Sequence, residues 1–197
     1  MTLPPELRQL EDQLDTIVRN AQELVSGLTE ERAGWRATPD SWSVSQCLDH
    51  LAIGNRVYLG AMQPAALRAH EQGRHRRCPA LPGIVGRLFV GALEPPVTFL
   101  FMMKSPQKIR PRAAPSLAEA LAAFVASQNE VRSFLHENAD LDLAAVRFPN
   151  PFAPGIRFSL ATGLQVIAAH ERRHLWQAWR ARRIAQGAVS GQPSKSV

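Results

Sequence analysis

Two histidines four residues apart, in His170-Glu171-Arg172-Arg173-His174, carry the clearest chemical signal in the chain. On a helix that spacing places both imidazoles on one face, within reach of a single metal ion. The same run spells H-E-x-x-H, the zinc metalloprotease helix in which the glutamate serves as general base. Such proteases commonly take a third ligand downstream, whereas no His, Asp or Glu follows His174, so a protease is not the expected function. Upstream, His50 is in phase with Cys47, Gly54 and Val57 on another predicted helix and can supply the third ligand. Three neutral imidazoles from two facing helices make a half-shell suited to Zn²⁺, Ni²⁺ or Fe²⁺. Three protein ligands with positions left for water or substrate are the arrangement of a catalytic site. An ion held there would activate water or a thiol by stabilising its anion. Spacing alone leaves open the alternative of hydrogen-bonded core histidines without a metal.

The neighbours of these histidines divide by helical phase. Glu171 lies about 100° around the helix from His170, which makes it a surface or inter-helix residue. Gln177, three residues beyond His174, is placed to orient a ligand or a water. Cys47 reads as a buried small apolar residue, Trp176 and Trp179 as packing residues, and His70, His75 and His136 as solvated. No residue can be assigned as general acid or base.

Four amphipathic helices must position this set. Leu7, Leu10, Leu14, Ile17, Ala21, Leu24 and Leu28 form the stripe of the first. A turn-like Trp35 to Trp42 follows, and Ser43-Val-Ser-Gln46 is a capping box opening a second helix that runs toward Pro64 or His70. Its stripe is Val44, Leu48, Leu51, Asn55 and Tyr58. Eleven Gly and Pro residues between 73 and 115 exclude long regular structure and imply a long crossover, with at most short helices. Ser116-Leu-Ala-Glu119 is a second capping box, launching Leu117, Leu121, Phe124, Gln128, Val131 and Leu135 along one face to about His136 to Asn138. A turn-rich Phe148 to Gly155 leads to Ser159, which caps a fourth helix carrying Leu164, Ile167, His170, His174 and Ala178. With no convincing run of alternating strands, the fold class is an all-α bundle with a crossover between the second and third helices.

Length and composition agree with this. The 197 residues, 45% hydrophobic, suit one domain with a sizeable core; residues 1–186 are expected to form it, with 187–197 a disordered tail. Cys47 and Cys78 are far apart and unpaired by spacing, and no signal-peptide pattern opens the chain, so a reducing cytoplasmic location is expected. The most apolar stretch, Leu81 to Met103, is broken by Arg87, Glu94 and Pro95-Pro96, so no membrane partner is expected. The net charge of +6 is unevenly placed, with eight Lys or Arg against one Glu in residues 74–112. Without a recognised nucleic-acid motif, that excess points to an anionic small molecule rather than to nucleic acid.

Trp42-Ser-Val-Ser-Gln-Cys-Leu-Asp-His50-Leu51, preceded by Trp35 and Pro39, resembles the W-S-x-x-x-x-x-x-H-L signature that opens the second helix in the DinB/YfiT-like superfamily. Leu164-Gln-Val-Ile-Ala-Ala-His170-Glu-Arg-Arg-His174-Leu-Trp-Gln177 resembles its H-x-x-x-H-x-x-Q helix. The resemblance spans roughly Leu7 to Arg183. It implies an up-down-down-up four-helix bundle and a divalent metal, Zn or Ni foremost and Fe or Mn otherwise, held by His50, His170 and His174. It also implies a metal-dependent enzyme, a thiol-dependent transferase or a hydrolase acting on a small molecule, since characterised relatives include enzymes that use bacillithiol, mycothiol or glutathione in transfer or isomerisation, although many members have no known activity. The alternative is a vestigial or structural metal site in a dimeric module that binds a small ligand or a protein. The family's members also make a homodimer an expectation. The chain departs from compact relatives in its crossover, where Leu88, Phe89, Val90, Phe99, Leu100 and Phe101 are expected to pack as core or interface.

Overall fold

The apolar stripe of the first helix becomes the buried face of α1 (Pro5–Val25), with Leu7, Leu10, Leu14, Ile17, Ala21 and Leu24 inside. Proline in its first turn lacks only an N–H that would have had no helical partner. The computed structural model describes residues 3–96 and 106–190. A single turn, α2 (Glu30–Gly34), is capped by the Thr29 side chain and was not expected, because five residues are too few to show a period. Ser43 and Gln46 form the full reciprocal capping box of α3 (Val44–Glu71). This helix runs through Pro64, which is exposed, to the far limit of its expected range.

Ser116 accepts the Glu119 N–H to begin α5 (Leu117–Glu137), but only that half of the expected box forms, because the Glu119 carboxylate turns to Arg112. Between α3 and α5 the chain makes α4 (Ile84–Leu93) and a 3₁₀ turn, Gln107–Ile109. The expected role of Phe99, Leu100 and Phe101 lies outside the described residues. Ser159 accepts the Thr162 N–H to open α6 (Leu160–Ser190). That helix continues past Gly187, where the tail was expected to begin; residues 191–197 lie outside the description.

Cross-helix bonds give the direction of each helix. Gln13 meets Arg172, Asn20 meets Trp179 and the Leu24 carbonyl meets Arg182, so α1 and α6 run parallel. Asn55 meets Ser127 and His70 meets Asn138, so α3 and α5 also run parallel. Asp15 with Arg132 and Glu11 with His136 make α1 and α5 antiparallel. The order is therefore up-down-down-up, and the parallel α3 and α5 require a connection that returns along the bundle.

Two strands, β1 (Arg147–Pro149) and β2 (Arg157–Ser159), pair antiparallel where a turn-rich connection was expected. Phe148 and Phe158 face each other across them and are buried, closing one end of the core. On α4, Phe89 meets the Phe158 ring, but Ile84, Val85 and Leu88 are 70%, 71% and 71% exposed, so the expected packing of the crossover holds for only part of this helix. Among the described residues no helix is long and apolar enough to cross a membrane.

Candidate metal centre

The capping box that starts α3 also ties the end of the crossover to the bundle. The Gln46 side chain donates to the carbonyls of Arg112 and Ala113, 3.3 and 3.0 Å away. One turn on, the buried Asp49 carboxylate accepts the Arg112 N–H at 2.8 Å and pairs with the Arg112 guanidinium at 2.8 Å. These bonds hold the 3₁₀ turn against α3, so that the Ile109 carbonyl lies 2.5 Å from His50 Nδ1. A carbonyl can only accept, so His50 carries its proton on Nδ1 and presents a bare Nε2.

On α6 the expected pair faces the same point. His174 Nδ1 donates to Gln177 Oε1 at 3.0 Å, the orienting role expected of Gln177, which leaves its Nε2 bare as well. His50 Nε2 lies 3.1 Å from His170 Nε2 and 3.2 Å from His174 Nε2. Trp42 packs over two of the rings, its centroid 4.5 Å from that of His50 and 5.6 Å from that of His174. Gly54 leaves room for the third: a Cβ there would sit 3.2 Å from His170 Cε1.

Burial pushes the His50 imidazole down to about 4, against the opposing pull of the Ile109 carbonyl and the Asp49 charge. His170 and His174 are held well below the usual range by burial first, then by neighbouring imidazoles and the Arg173 charge. All three are therefore neutral at pH 7. With the Nδ1 protons of His50 and His174 committed, their two Nε2 lone pairs face each other, an arrangement a cation relieves. Nitrogens bound to a tetrahedral Zn²⁺ at about 2.0–2.1 Å lie about 3.3–3.4 Å apart, close to the spacing found. Among the described residues no Cys, Asp or Glu joins the three histidines. His50 is buried, whereas His170 and His174 are half-buried.

Glu171 does not serve this site. It is fully buried between helices, where its Oε1 accepts from Asn55 Nδ2 at 2.7 Å and from Gln128 Nε2. Of the two places expected for it, the inter-helix one is found. Burial pushes its carboxyl up to about 8 despite those two bonds. The general base of a protease is thus turned away from the histidines. Cys47 is buried as expected, its thiol pushed by burial up to about 12, and it does not join the three histidines. Sequence reasoning missed the Ile109 carbonyl, the Asp49–Arg112 anchor and the partners of Glu171. The signals available were Asn55 and Gln128, polar residues standing on apolar helix stripes.

A family model described as the DinB superfamily matches residues 13–178. The chain belongs to the DinB superfamily. No curated protein and no solved structure matches it. In this DinB-like domain the histidine cluster could hold a metal ion, and all three of its members fall inside the matched region.

Proposed function

We propose that this DinB-like protein is a divalent-metal-dependent enzyme in which His50, His170 and His174 hold the ion. Zn or Ni is the foremost candidate, with Fe or Mn next. Its reaction is thiol-dependent transfer to, or hydrolysis of, a small molecule. The observation that carries the reading is the convergence of three Nε2 atoms at 3.1 and 3.2 Å, with two of the rings locked through Nδ1. When bound, a divalent cation supplies Lewis acidity that stabilises the anion of a thiol or of water.

The chain's own residues supply the rest. Ile109 and Gln177 fix the tautomers, Trp42 shields one flank of the rings, and the Arg173 charge makes the surroundings favourable to an anion. Glu171, fully buried and bonded to Asn55 and Gln128, takes no part in proton transfer at the histidines.

One observation favours a second reading, a dimeric binding module with a vestigial metal site: the exposed apolar residues Ile84, Val85 and Leu88 of α4 offer a surface for a partner. The test is metal analysis of protein purified without a histidine tag, followed by cobalt substitution and titration with a low-molecular-weight thiol. Stoichiometric metal with a thiol-dependent change in the cobalt spectrum supports the enzyme. Metal without a thiol response, in a chain that is dimeric by light scattering, supports the module. Failure to take up metal on reconstitution removes the metal centre.

A further inference from the structure

Far from the histidines, four arginines surround one concavity with no carboxylate among its walls. Arg68 and Gln72 come from the last turns of α3, Arg74 lies just beyond, Arg147 and Arg157 come from the two strands, and Val146 contributes to the floor of a groove of about 270 Å³. With a rise of 1.5 Å per residue, Arg68 is about 27 Å along α3 from His50. The strand register explains why both hairpin arginines point the same way. Phe148 and Phe158 face the core, so Arg147 and Arg157 share the opposite face, and the Arg157 guanidinium donates to the Arg147 carbonyl at 3.0 Å.

None of the four guanidiniums forms an ion pair with a described residue. Of the carboxylates on the adjoining loop, Asp140 lies 3.8 Å from His75, and Asp142 is buried and accepts from the Cys78 thiol at 3.8 Å. Like charges gathered on neighbouring strands repel, and they become favourable once a polyanion lies between them.

We propose that this groove is a binding site for a compact di- or triphosphate group. Guanidinium forks match phosphoryl oxygens in pairs and keep their charge at every physiological pH. A single carboxylate would use one fork and leave the others uncompensated. A di- or triphosphate carries about three to four charges and matches the set. The concavity, walled by a helix on one side and a hairpin on the other, suits a small ligand, whereas a nucleic acid requires cations strung along an extended track.

The test is calorimetric titration of the full-length protein with inorganic tripolyphosphate. We expect saturable binding at one site that persists in His170→Ala, which separates it from capture by a metal at the histidines. Arg68→Gln combined with Arg157→Gln should weaken it by at least about tenfold. Arg77→Gln combined with Arg87→Gln, an equal charge change at exposed positions outside the groove, should leave it unchanged. ADP binding like tripolyphosphate, with adenosine inactive, would further support recognition through the phosphates. Equal losses in both double variants, no loss in the groove variant, no binding at all, or tighter binding of a short single-stranded DNA than of tripolyphosphate would each overturn the proposal.

Discussion

The Ile109 carbonyl accepts the Nδ1 proton of His50 at 2.5 Å, so a backbone atom at the end of the crossover sets which nitrogen of the first histidine faces the other two. This contact depends on Asp49, the residue before His50, because its carboxylate grips both the backbone and the guanidinium of Arg112. Replacing Arg112 with alanine removes the guanidinium half of that grip. Metal affinity should fall about 10–100-fold, the range for groups that orient a ligand, with helix content unchanged by circular dichroism. Unaltered affinity would mean the turn is held by Gln46 and the backbone alone.

Loss of a ligand should exceed loss of its orienting partner. His170→Ala should lower metal affinity by more than about 100-fold, beyond the outer-partner range. The bundle should stay folded, with helix content unchanged by circular dichroism. Retention of stoichiometric, tightly bound metal by inductively coupled plasma analysis would sink the three-histidine assignment.

The long helices were legible because their periods are long. Six buried positions of α1 repeat at three and four, and Ser43 with Gln46 marks the first turn of α3. The strands are three residues each, too short for alternation to register, and their role as a plug arises from Phe148 and Phe158 meeting across a turn that sequence displays only as Pro and Gly. At the site, His170 and His174 declare themselves by spacing and His50 by helical phase. Ile109 contributes a carbonyl, which every residue has, and Asp49 finds Arg112 across a sequence separation of 63. Contacts of those two kinds leave no local pattern to read.

Glycine at 54 is required by close approach, since an added Cβ would lie 3.2 Å from His170 Cε1. Gly54→Ala should displace the ring and weaken metal binding. Gly60 lies on the same helix with nothing within 4 Å of such a Cβ. Gly60→Ala should therefore stabilise the protein by about 0.5–1 kcal/mol through helix propensity, with metal affinity unchanged. Equal metal affinities in the two variants would show that the crowding at His170 is absorbed elsewhere.

Acid should loosen the anchor of the α3–α4 connection. Burial alone would raise the Glu6 carboxyl, but the Ala80 N–H, its own N–H and the Arg76 guanidinium outweigh it and hold it below its usual value of 4.5. A lowered folded pKa means the stabilisation is complete above pH 4.5 and is lost as pH falls through the lower folded value. Urea unfolding should place Glu6→Gln below the parent by about 1 kcal/mol or less at pH 7, because the pair is partly solvated. The gap should close once pH falls below the lowered folded value. A gap independent of pH would show that the carboxylate charge contributes nothing.

Glu171 separates a structural glutamate from a catalytic one in the same four-residue frame. Two amide groups donate to its Oε1 inside the bundle, and its side chain is fully enclosed. Removing that acceptor with Glu171→Ala strands the Gln128 amide and leaves the Asn55 amide with Ser127 alone, at about 1–3 kcal/mol for each buried donor left unsatisfied. Glu171→Gln keeps the shape and one acceptor oxygen, so it should cost less than the alanine variant and bind metal with the parent stoichiometry. In an assay of the proposed thiol-dependent or hydrolytic activity, Glu171→Gln should retain most of the parent's rate at unchanged KM. Loss of activity with metal and stability intact would return this glutamate to the role of general base and contradict its placement between α3, α5 and α6.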